Sequence, residues 1–368
     1  MLISSKNKKK NYLVFSATDW SENKVSIMHL ASILSENNNV IFFQTYGRRF
    51  PKIKDFPRII KRLTNKNYYL GNNLKVVSVL GFPYSKLKFL NMINSYIINL
   101  QIKKKISIYD KYNVIVSSPI WLDIIIKNKI HFLKITFHCV DNLFTYISHN
   151  QFKKDFKSLV NISNNLVTPN RLINKKLFKN NAIILENATN FKKNLSINKF
   201  TYNSKNIVYS GTLANWVDYD LLNDLILNLS TYNFYFVGYI HPLVKSNSLK
   251  FLSHPNVVFF KKVNYSNLPS IYNSCHIGII PYEKDNEHIK YSSPTKLHDY
   301  ISSNLKIVST EIPYVQQFMN KYKDLKIASN VNEFTESITR FESDKKDNNI
   351  LEFENDWKGK KDKVLQIF

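Results

Sequence analysis

Short apolar runs alternate with amphipathic stretches along most of the chain. Tyr12-Leu-Val-Phe15 reads as a buried strand and Ser16 to Asn23 as a polar loop. Lys24 to Glu36 reads as a helix, because Ile27, Leu30, Ala31 and Leu34 fall on one stripe. Val40 to Phe43 is the next strand, so the chain opens as a βαβ unit. Val76-Val77, Val114 to Val116 and Leu133 to Phe137 follow as strands, with a short helix over Trp121 to Lys127. A helix around Phe152 to Ile162 and strands at Leu166 to Thr168 and Ala182 to Leu185 complete the first half.

Asn190 to Asn206 is polar, lysine-rich and without pattern, and reads as a linker. Beyond it the alternation restarts. Strands are predicted at Ile207 to Tyr209, Phe234 to Val237, Val257 to Phe260, Ile277 to Ile280 and Lys306 to Ser309. Helices are predicted over Asp218 to Leu229, Leu268 to Asn273 and Pro294 to Ser303. Strands that alternate with helices imply parallel sheets covered on both faces. The pattern divides into a first α/β domain over 1–190, a second over 191–350, and a tail over 351–368 read as a closing helix that packs back on the first.

At 368 residues the chain is too long for one ordinary α/β core, and 44% hydrophobic residues supply material for two. No apolar run reaches the roughly 18 residues needed to cross a bilayer. No apolar segment follows the basic Met1 to Lys10 as it would in a secretory signal, so a cytoplasmic protein is expected. Cys139 and Cys275 are far apart and neither belongs to a CxxC, which fits two reduced thiols rather than a zinc site. Lys and Arg outnumber Asp and Glu by 52 to 27, a formal charge of +25, which implies an anionic partner: nucleic acid, acidic lipid or a phosphorylated substrate. Part of that excess belongs to a general richness in Lys, Asn and Ile. Arg48 to Lys66 and Tyr84 to Lys105 interleave cations with apolar residues, the composition of a segment that meets anionic headgroups; a solvated basic face has the same composition.

The segment richest in chemistry is Tyr291-Ser-Ser-Pro-Thr-Lys-Leu-His-Asp-Tyr300. Ser293 is placed to cap a helix whose first residue is Pro294, where the missing N–H costs nothing. That helix would start at the C-terminal edge of the strand Ile277 to Ile280, the edge at which open parallel sheets bind ligands. Its free N–H groups and macrodipole favour a diphosphate. Lys296 in the first turn adds a positive charge, and Asp299, three residues on and on the same face, can accept hydrogen bonds from a ribose. An ordinary capped helix packing Leu297, Tyr300 and Ile301 would satisfy the same spacing.

These residues resemble the donor-binding segment of GT-B glycosyltransferases of the family-4 type, whose pattern runs roughly P-x-K-L-x-E-Y followed by P-V-V-S-T. Pro294 to Tyr300 and Lys306 to Thr310 keep most of it. Ile207 to Leu213 with Trp216 and Asp218, Phe234 to Gly238, and Leu268 to Tyr272 followed by Cys275 to Tyr282 resemble further donor-domain segments in the right order. Trp20 with His29 to Leu34, and His138-Cys-Val-Asp141, resemble the branch of teichuronic-acid and xanthan-type glucuronosyl transferases. Asp299 stands where the family has Glu, and Tyr291 where it has an earlier Glu.

The resemblance implies a GT-B fold of two Rossmann-like domains facing a central cleft. It implies transfer of a hexosyl or uronosyl group from a nucleoside-diphosphate sugar, expected to be a UDP-sugar, to a surface-polysaccharide or lipid-linked acceptor. Gly211 and Thr212 would approach the diphosphate with their backbone, Tyr282 would lie near the base, and Ser292, Ser293, Pro294, Thr295, Lys296 and Asp299 would complete the donor site. Asp141 is implied as the base for an inverting reaction, with His138 beside it and Asp19 as a second candidate. No metal and no cofactor beyond the donor is expected. An anionic membrane is an expected partner, which would place the chain peripherally on the inner face of the plasma membrane. Nucleic acid is not expected, since no RRM, KH, zinc or helix-turn-helix signature accompanies the charge. A catalytically silent scaffold of the same fold is the alternative.

Overall fold

Each run of Val, Ile, Leu and Phe read as a strand carries one in the computed structural model. It describes residues 9–21, 24–46, 60, 67–107, 109–145, 147, 149–189, 202–261, 263–343 and 356–368. The basic stretch 48–66 lies outside the described residues apart from Ile60, as do residues 190–201 of the expected linker and 351–355 of the tail. The chain divides into one unit of Met1–Glu186 with Lys361–Phe368, and a second of Asn187–Lys360.

In the first unit the elements run β1 (Asn11–Phe15), α1 (Ser26–Leu34), β2 (Asn39–Phe43), β3 (Asn67–Leu70), β4 (Leu74–Val77), α2 (Lys88–Lys103) and β5 (Tyr112–Val116). They continue with α3 (Leu122–Asn128), β6 (Phe132–His138), α4 (Asn150–Ile162), β7 (Asn165–Thr168), α5 (Arg171–Phe178) and β8 (Ile183–Ile184). The sheet order is β3-β4-β2-β1-β5-β6-β7-β8. All neighbours are parallel except the β3–β4 pair at the edge. Winding therefore proceeds outward from β1 and reverses between β1 and β5. Central strands are buried on both faces, which is why Leu13-Val-Phe15 and Val114-Ile-Val116 are apolar without alternation. Trp121 fills the space beside Phe15 and donates Nε1–H to the Ser16 carbonyl at 2.9 Å.

Two elements here carried little sequence signal. β3 is an edge strand of Asn67-Tyr-Tyr-Leu70, too polar and exposed to read as a buried run. α5 is short and rich in Asn and Lys; its start is set by Asn170, whose Oδ1 accepts from the N–H of Leu172 at 2.7 Å.

The second unit runs β9 (Asn206–Ser210), α6 (Tyr219–Asn228), β10 (Asn233–Val237), α7 (Lys245–Leu252), β11 (Val257–Phe260), α8 (Leu268–Ser274) and β12 (Ile277–Ile280). After these come α9 (Glu287–Lys290), α10 (Thr295–Ser302), β13 (Lys306–Ser309), α11 (Pro313–Gln316), β14 (Leu325–Ile327) and α12 (Val331–Ser343). Its sheet is wholly parallel in the order β11-β10-β9-β12-β13-β14, so the same outward winding reverses between β9 and β12. Asp218 caps α6 by accepting from the Leu221 N–H at 2.9 Å, and the apolar stripe of that helix, Leu222, Leu225 and Ile226, is buried. Thr189 joins this unit through a bridge to Asp356.

The last helix, α13 (Lys361–Ile367), belongs to the first unit. Lys134 Nζ and Asn165 Nδ2 both donate to the Ile367 carbonyl, at 2.7 and 3.0 Å, satisfying an acceptor that the helix end leaves open.

Candidate functional site

Where the strand order of a parallel sheet reverses, the loops that follow the two central strands leave toward opposite faces and open a crevice at the C-terminal edge. In the second unit that point lies after β9 and β12. The chain leaves β9 through Ser210-Gly211-Thr212. Gly211 has φ +131°, and its N–H donates to the Val237 carbonyl at 2.8 Å. Gly238 follows β10 with φ +148°, and a Cβ there would fall 2.1 Å from the Gly211 carbonyl oxygen. The two strand ends therefore meet backbone to backbone, which only glycine permits. Tyrosines hold this edge from beneath. Tyr300 accepts from the Ser210 N–H at 2.9 Å, Tyr272 donates to Ser210 Oγ at 2.6 Å, and Tyr209 donates to the Thr212 carbonyl at 2.9 Å.

The crevice receives Lys296 from the first turn of α10. Its Nζ lies 3.7 Å from the ring centroid of Tyr209 and 4.9 Å from that of Tyr282. A Cβ on Gly211 would lie 3.0 Å from it. Lys296 is only 7% exposed, and its ammonium has no hydrogen-bond partner. Burial alone pushes its pKa well below the ordinary lysine range. Two aromatic faces are its main compensation. Tyr282 is in turn fixed by its N–H, which donates to Thr310 Oγ1 at 3.0 Å.

The helix start corrects one expectation. Pro294, not Ser293, is the N-cap, with φ −60° and ψ 115°, and the helix begins at Thr295. The proline ring sets φ, but the extended ψ holds Pro294 outside the helix, and proline has no side-chain oxygen to cap with. Ser293 is buried and its carbonyl accepts from Asn187 Nδ2 at 2.9 Å, while Ser292 Oγ donates to the Ile289 carbonyl at 3.0 Å. α10 thus has no side-chain cap, and Thr295 at its first position is exposed.

Asp299 lies one turn on and is 6% exposed. Its Oδ1 accepts from Thr189 Oγ1 at 2.6 Å and from the Tyr265 hydroxyl at 2.9 Å. Burial raises its pKa to about 6 against the pull of those two donors. The folded pKa lies above the ordinary value of 3.8, so the stabilising contribution is complete below about pH 4 and is lost as pH rises through 6. The gap corresponds to roughly 3 kcal/mol at neutral pH. Asp299→Asn keeps an acceptor for both hydroxyls and removes the buried charge. It is expected to melt above the wild type at pH 7.5, with the two curves converging near pH 4. Circular dichroism melts at both pH values check this, and an equal offset at both would sink the reading.

In the first unit the implied catalytic residues also stand at the C-terminal edge. Asp19 is half-buried in the loop after β1, where the Ala17 N–H donates to Ser117 Oγ at 2.7 Å and the Trp20 N–H to Gln44 Oε1 at 2.8 Å. His138 ends β6. It is 1% exposed, edge-on to Phe368 with ring centroids 6.3 Å apart, and its Nδ1 has no hydrogen-bond partner. Burial lowers its pKa to about 4, so the ring is neutral. Asp141 is half-buried in the following loop, and its backbone carbonyl accepts from Cys139 Sγ at 3.3 Å. Only β5 separates β1 from β6, which spaces the two strand ends by about 10 Å.

Gly211, Tyr282 and Lys296 are therefore gathered at one point, with the Thr212 turn beside them. Ser292, Ser293 and Pro294 lead into the helix, and Asp299 faces Thr189 and Tyr265. Sequence reasoning missed Tyr209 under Lys296 and the two hydroxyls on Asp299. Tyr209 lies next to last in a strand that a glycine follows, a weak signal; Thr189 and Tyr265 are distant in sequence and carry none. Among the described residues no group of three or more His, Cys, Asp or Glu side chains could hold a metal ion.

No family model matches the chain, and no curated protein matches it in sequence. Solved structures do match. A sucrose-phosphate synthase from Thermosynechococcus elongatus superposes with a TM-score of 0.64 at 10% identity, over 98% of this chain and 95% of that one. A UDP-forming trehalose-phosphate synthase from Burkholderia xenovorans in complex with glucose-6-phosphate gives 0.62 at 8% identity, over 97% and 99%. A glycosyltransferase from Rickettsia africae gives 0.60 at 15% identity, over 98% and 94%. At such identities the likeness carries the fold, and the fold is GT-B, built from two Rossmann-like units.

Proposed function

We propose that this chain is a glycosyltransferase that takes a sugar from a nucleoside-diphosphate donor, a UDP-sugar by the resemblance of its donor segment, to a hydroxyl of a surface glycan or a lipid-linked glycan intermediate. The observation that carries the reading is Lys296: a buried ammonium without a hydrogen-bond partner, beside a glycine, at the start of a helix with no side-chain cap. A diphosphate supplies the missing anion. Its oxygens would meet Nζ, the first-turn N–H groups of Thr295 and Lys296, and the Gly211–Thr212 backbone. Charge that develops on the leaving diphosphate is then stabilised by groups already in place. Asp299 would use its second oxygen for a ribose hydroxyl, and Tyr282 would lie near the base.

An inverting transfer needs a base for the acceptor hydroxyl. Asp141 fills that role by resemblance to the glucuronosyl branch, with Asp19 as the second candidate. His138, buried under Phe368, would act by shaping the Asp141 loop; direct contact with sugar requires Phe368 to move. A metal is not required by this scheme, since helix dipole and lysine together meet the diphosphate.

Thermal shifts against UDP, GDP, CMP and ADP, with EDTA present, test the donor site. One diphosphate is expected to stabilise the protein selectively, by about 2.7 kcal/mol at a hundredfold excess over Kd. Stabilisation by none would remove the donor-site assignment. Selective stabilisation without hydrolysis or transfer of the matching nucleotide-sugars would favour a silent scaffold.

A further inference from the structure

The helix α2 buries its polar face and exposes its apolar one. Against the body of the first unit it places Asn91, Asn94, Ser95 and Asn99, together with Ile98 and Ile102. These amides are matched. Asn91 Oδ1 accepts from the Ser85 N–H at 2.7 Å and Nδ2 donates to its carbonyl at 2.8 Å; Asn94 brackets Phe82 in the same way at 2.8 and 2.7 Å. Asn128 Nδ2 donates to Asn99 Oδ1 at 2.7 Å, and Lys127 Nζ to Ser95 Oγ at 2.6 Å. The opposite face carries Phe89, Leu90, Met92, Ile93, Tyr96 and Leu100, with Phe89 69% and Tyr96 61% exposed. At 100° per residue these six form one continuous stripe roughly 160° wide, which from Phe89 to Leu100 runs about 17 Å along the helix.

A rotated helix would bury this stripe, but the amide clamps specify the orientation observed. Each clamp closes two hydrogen bonds on part-buried loop backbone, and rotating the helix would give up all four. The exposed stripe is therefore what the sequence encodes, and a contiguous apolar surface of this kind marks a contact site. Its rim fixes the chemistry of the partner. Lys86 and Lys88 lie at one end and Lys103 and Lys104 at the other, all exposed. No Asp or Glu occurs anywhere between Asp55 and Asp110. An apolar stripe bounded by exposed lysines, on a stretch of chain without acids, complements an anionic lipid surface: acyl chains take the stripe and headgroups take the lysines. No helix among the described residues is long and apolar enough to cross a membrane, so α2 would lie in the interface plane.

We propose that α2 is a membrane-docking helix, seated on an anionic bilayer with Phe89, Ile93, Tyr96 and Leu100 in the headgroup–acyl boundary. The inference is independent of the donor site. The test uses the full chain and vesicles of phosphatidylcholine, alone or with about one-third phosphatidylglycerol. Flotation with the anionic vesicles only, weakened by salt, is expected. The triple variant Phe89→Ser, Ile93→Ser, Leu100→Ser should lose at least about tenfold in vesicle affinity, while keeping the melting temperature and any nucleotide response of the wild type. In a Tyr96→Trp variant the indole emission should shift to the blue on vesicle addition. Undiminished vesicle binding by the triple variant overturns the proposal. So does a wild type that ignores vesicles and is dimeric, with the triple variant monomeric, since the stripe would then be an interface between copies of this chain.

Discussion

Lys296→Met is expected to melt higher than the wild type and to lose its response to nucleotide. Both effects come from one atom. An ammonium buried without a hydrogen bond costs several kcal/mol, of which the Tyr209 and Tyr282 faces return about 2. Methionine has a similar length, packs against the same rings and carries no charge, so a net gain of about 1–3 kcal/mol is expected. The pH dependence has a definite sign. Burial holds the folded pKa of Lys296 below that of the unfolded chain, so the unfolded chain binds more protons between the two values. The advantage of the variant is full below the folded pKa and fades as pH approaches the ordinary lysine value. A bound diphosphate would move the pKa back up, so binding takes up a proton and weakens as pH rises between the two. Titration calorimetry in buffers of different ionisation heat reads that proton directly. Turnover, if a donor is found, should fall by on the order of a hundredfold or more, the loss typical of removing one preorganised group from a developing negative charge. A Lys296→Met protein that is less stable and still binds nucleotide would make Lys296 a structural residue.

Gly238→Ala is expected to unfold the second unit's edge, and Gly211→Ala to spare the fold and damage the site. At Gly238 the added carbon meets the Gly211 carbonyl oxygen at 2.1 Å and its carbon at 2.7 Å, backbone atoms that cannot yield without parting β9 from β10. With φ +148° adding strain, a loss above about 3 kcal/mol is expected. At Gly211 the nearest atoms are Nζ and Cε of Lys296, at 3.0 and 3.2 Å, the far end of a flexible side chain. Stability should fall by about 1–2 kcal/mol through φ alone, while displacement of Lys296 costs most of the diphosphate affinity. Urea titrations paired with nucleotide titrations separate the two. Equal losses of stability would refute the assignment of the clash to backbone in one case and to the lysine in the other.

The legible part of the fold was the part set by local pattern. Leu13-Val-Phe15 and Ile277-Gly-Ile-Ile280 announce themselves as buried parallel strands because both faces of each are covered, and Leu222, Leu225 and Ile226 announce a helix by their spacing. The order Pro-Thr-Lys in 294–296 likewise announced a helix start with a cation in its first turn. What failed were features whose cause lies elsewhere in the chain. β3 exists because β4 offers an edge, not because Asn67-Tyr-Tyr-Leu70 prefers to be extended. Ser293 has the right side chain for a cap, but Pro294 intervenes with an extended ψ.

By itself, then, the sequence determined two alternating α/β runs and the presence of a lysine and a carboxylate one turn apart near a strand end. Those follow from periodicity and from backbone chemistry within a few residues. The tertiary structure decided what the two groups experience. It set Lys296 over Tyr209 with no hydrogen-bond partner, and closed Thr189 and Tyr265 on Asp299. It also turned the asparagines of α2 inward, toward loop backbone that needed their amides, and left the apolar stripe outside. Charge state, burial and orientation depend on atoms brought together from distant parts of the chain, and only the folded arrangement specifies them.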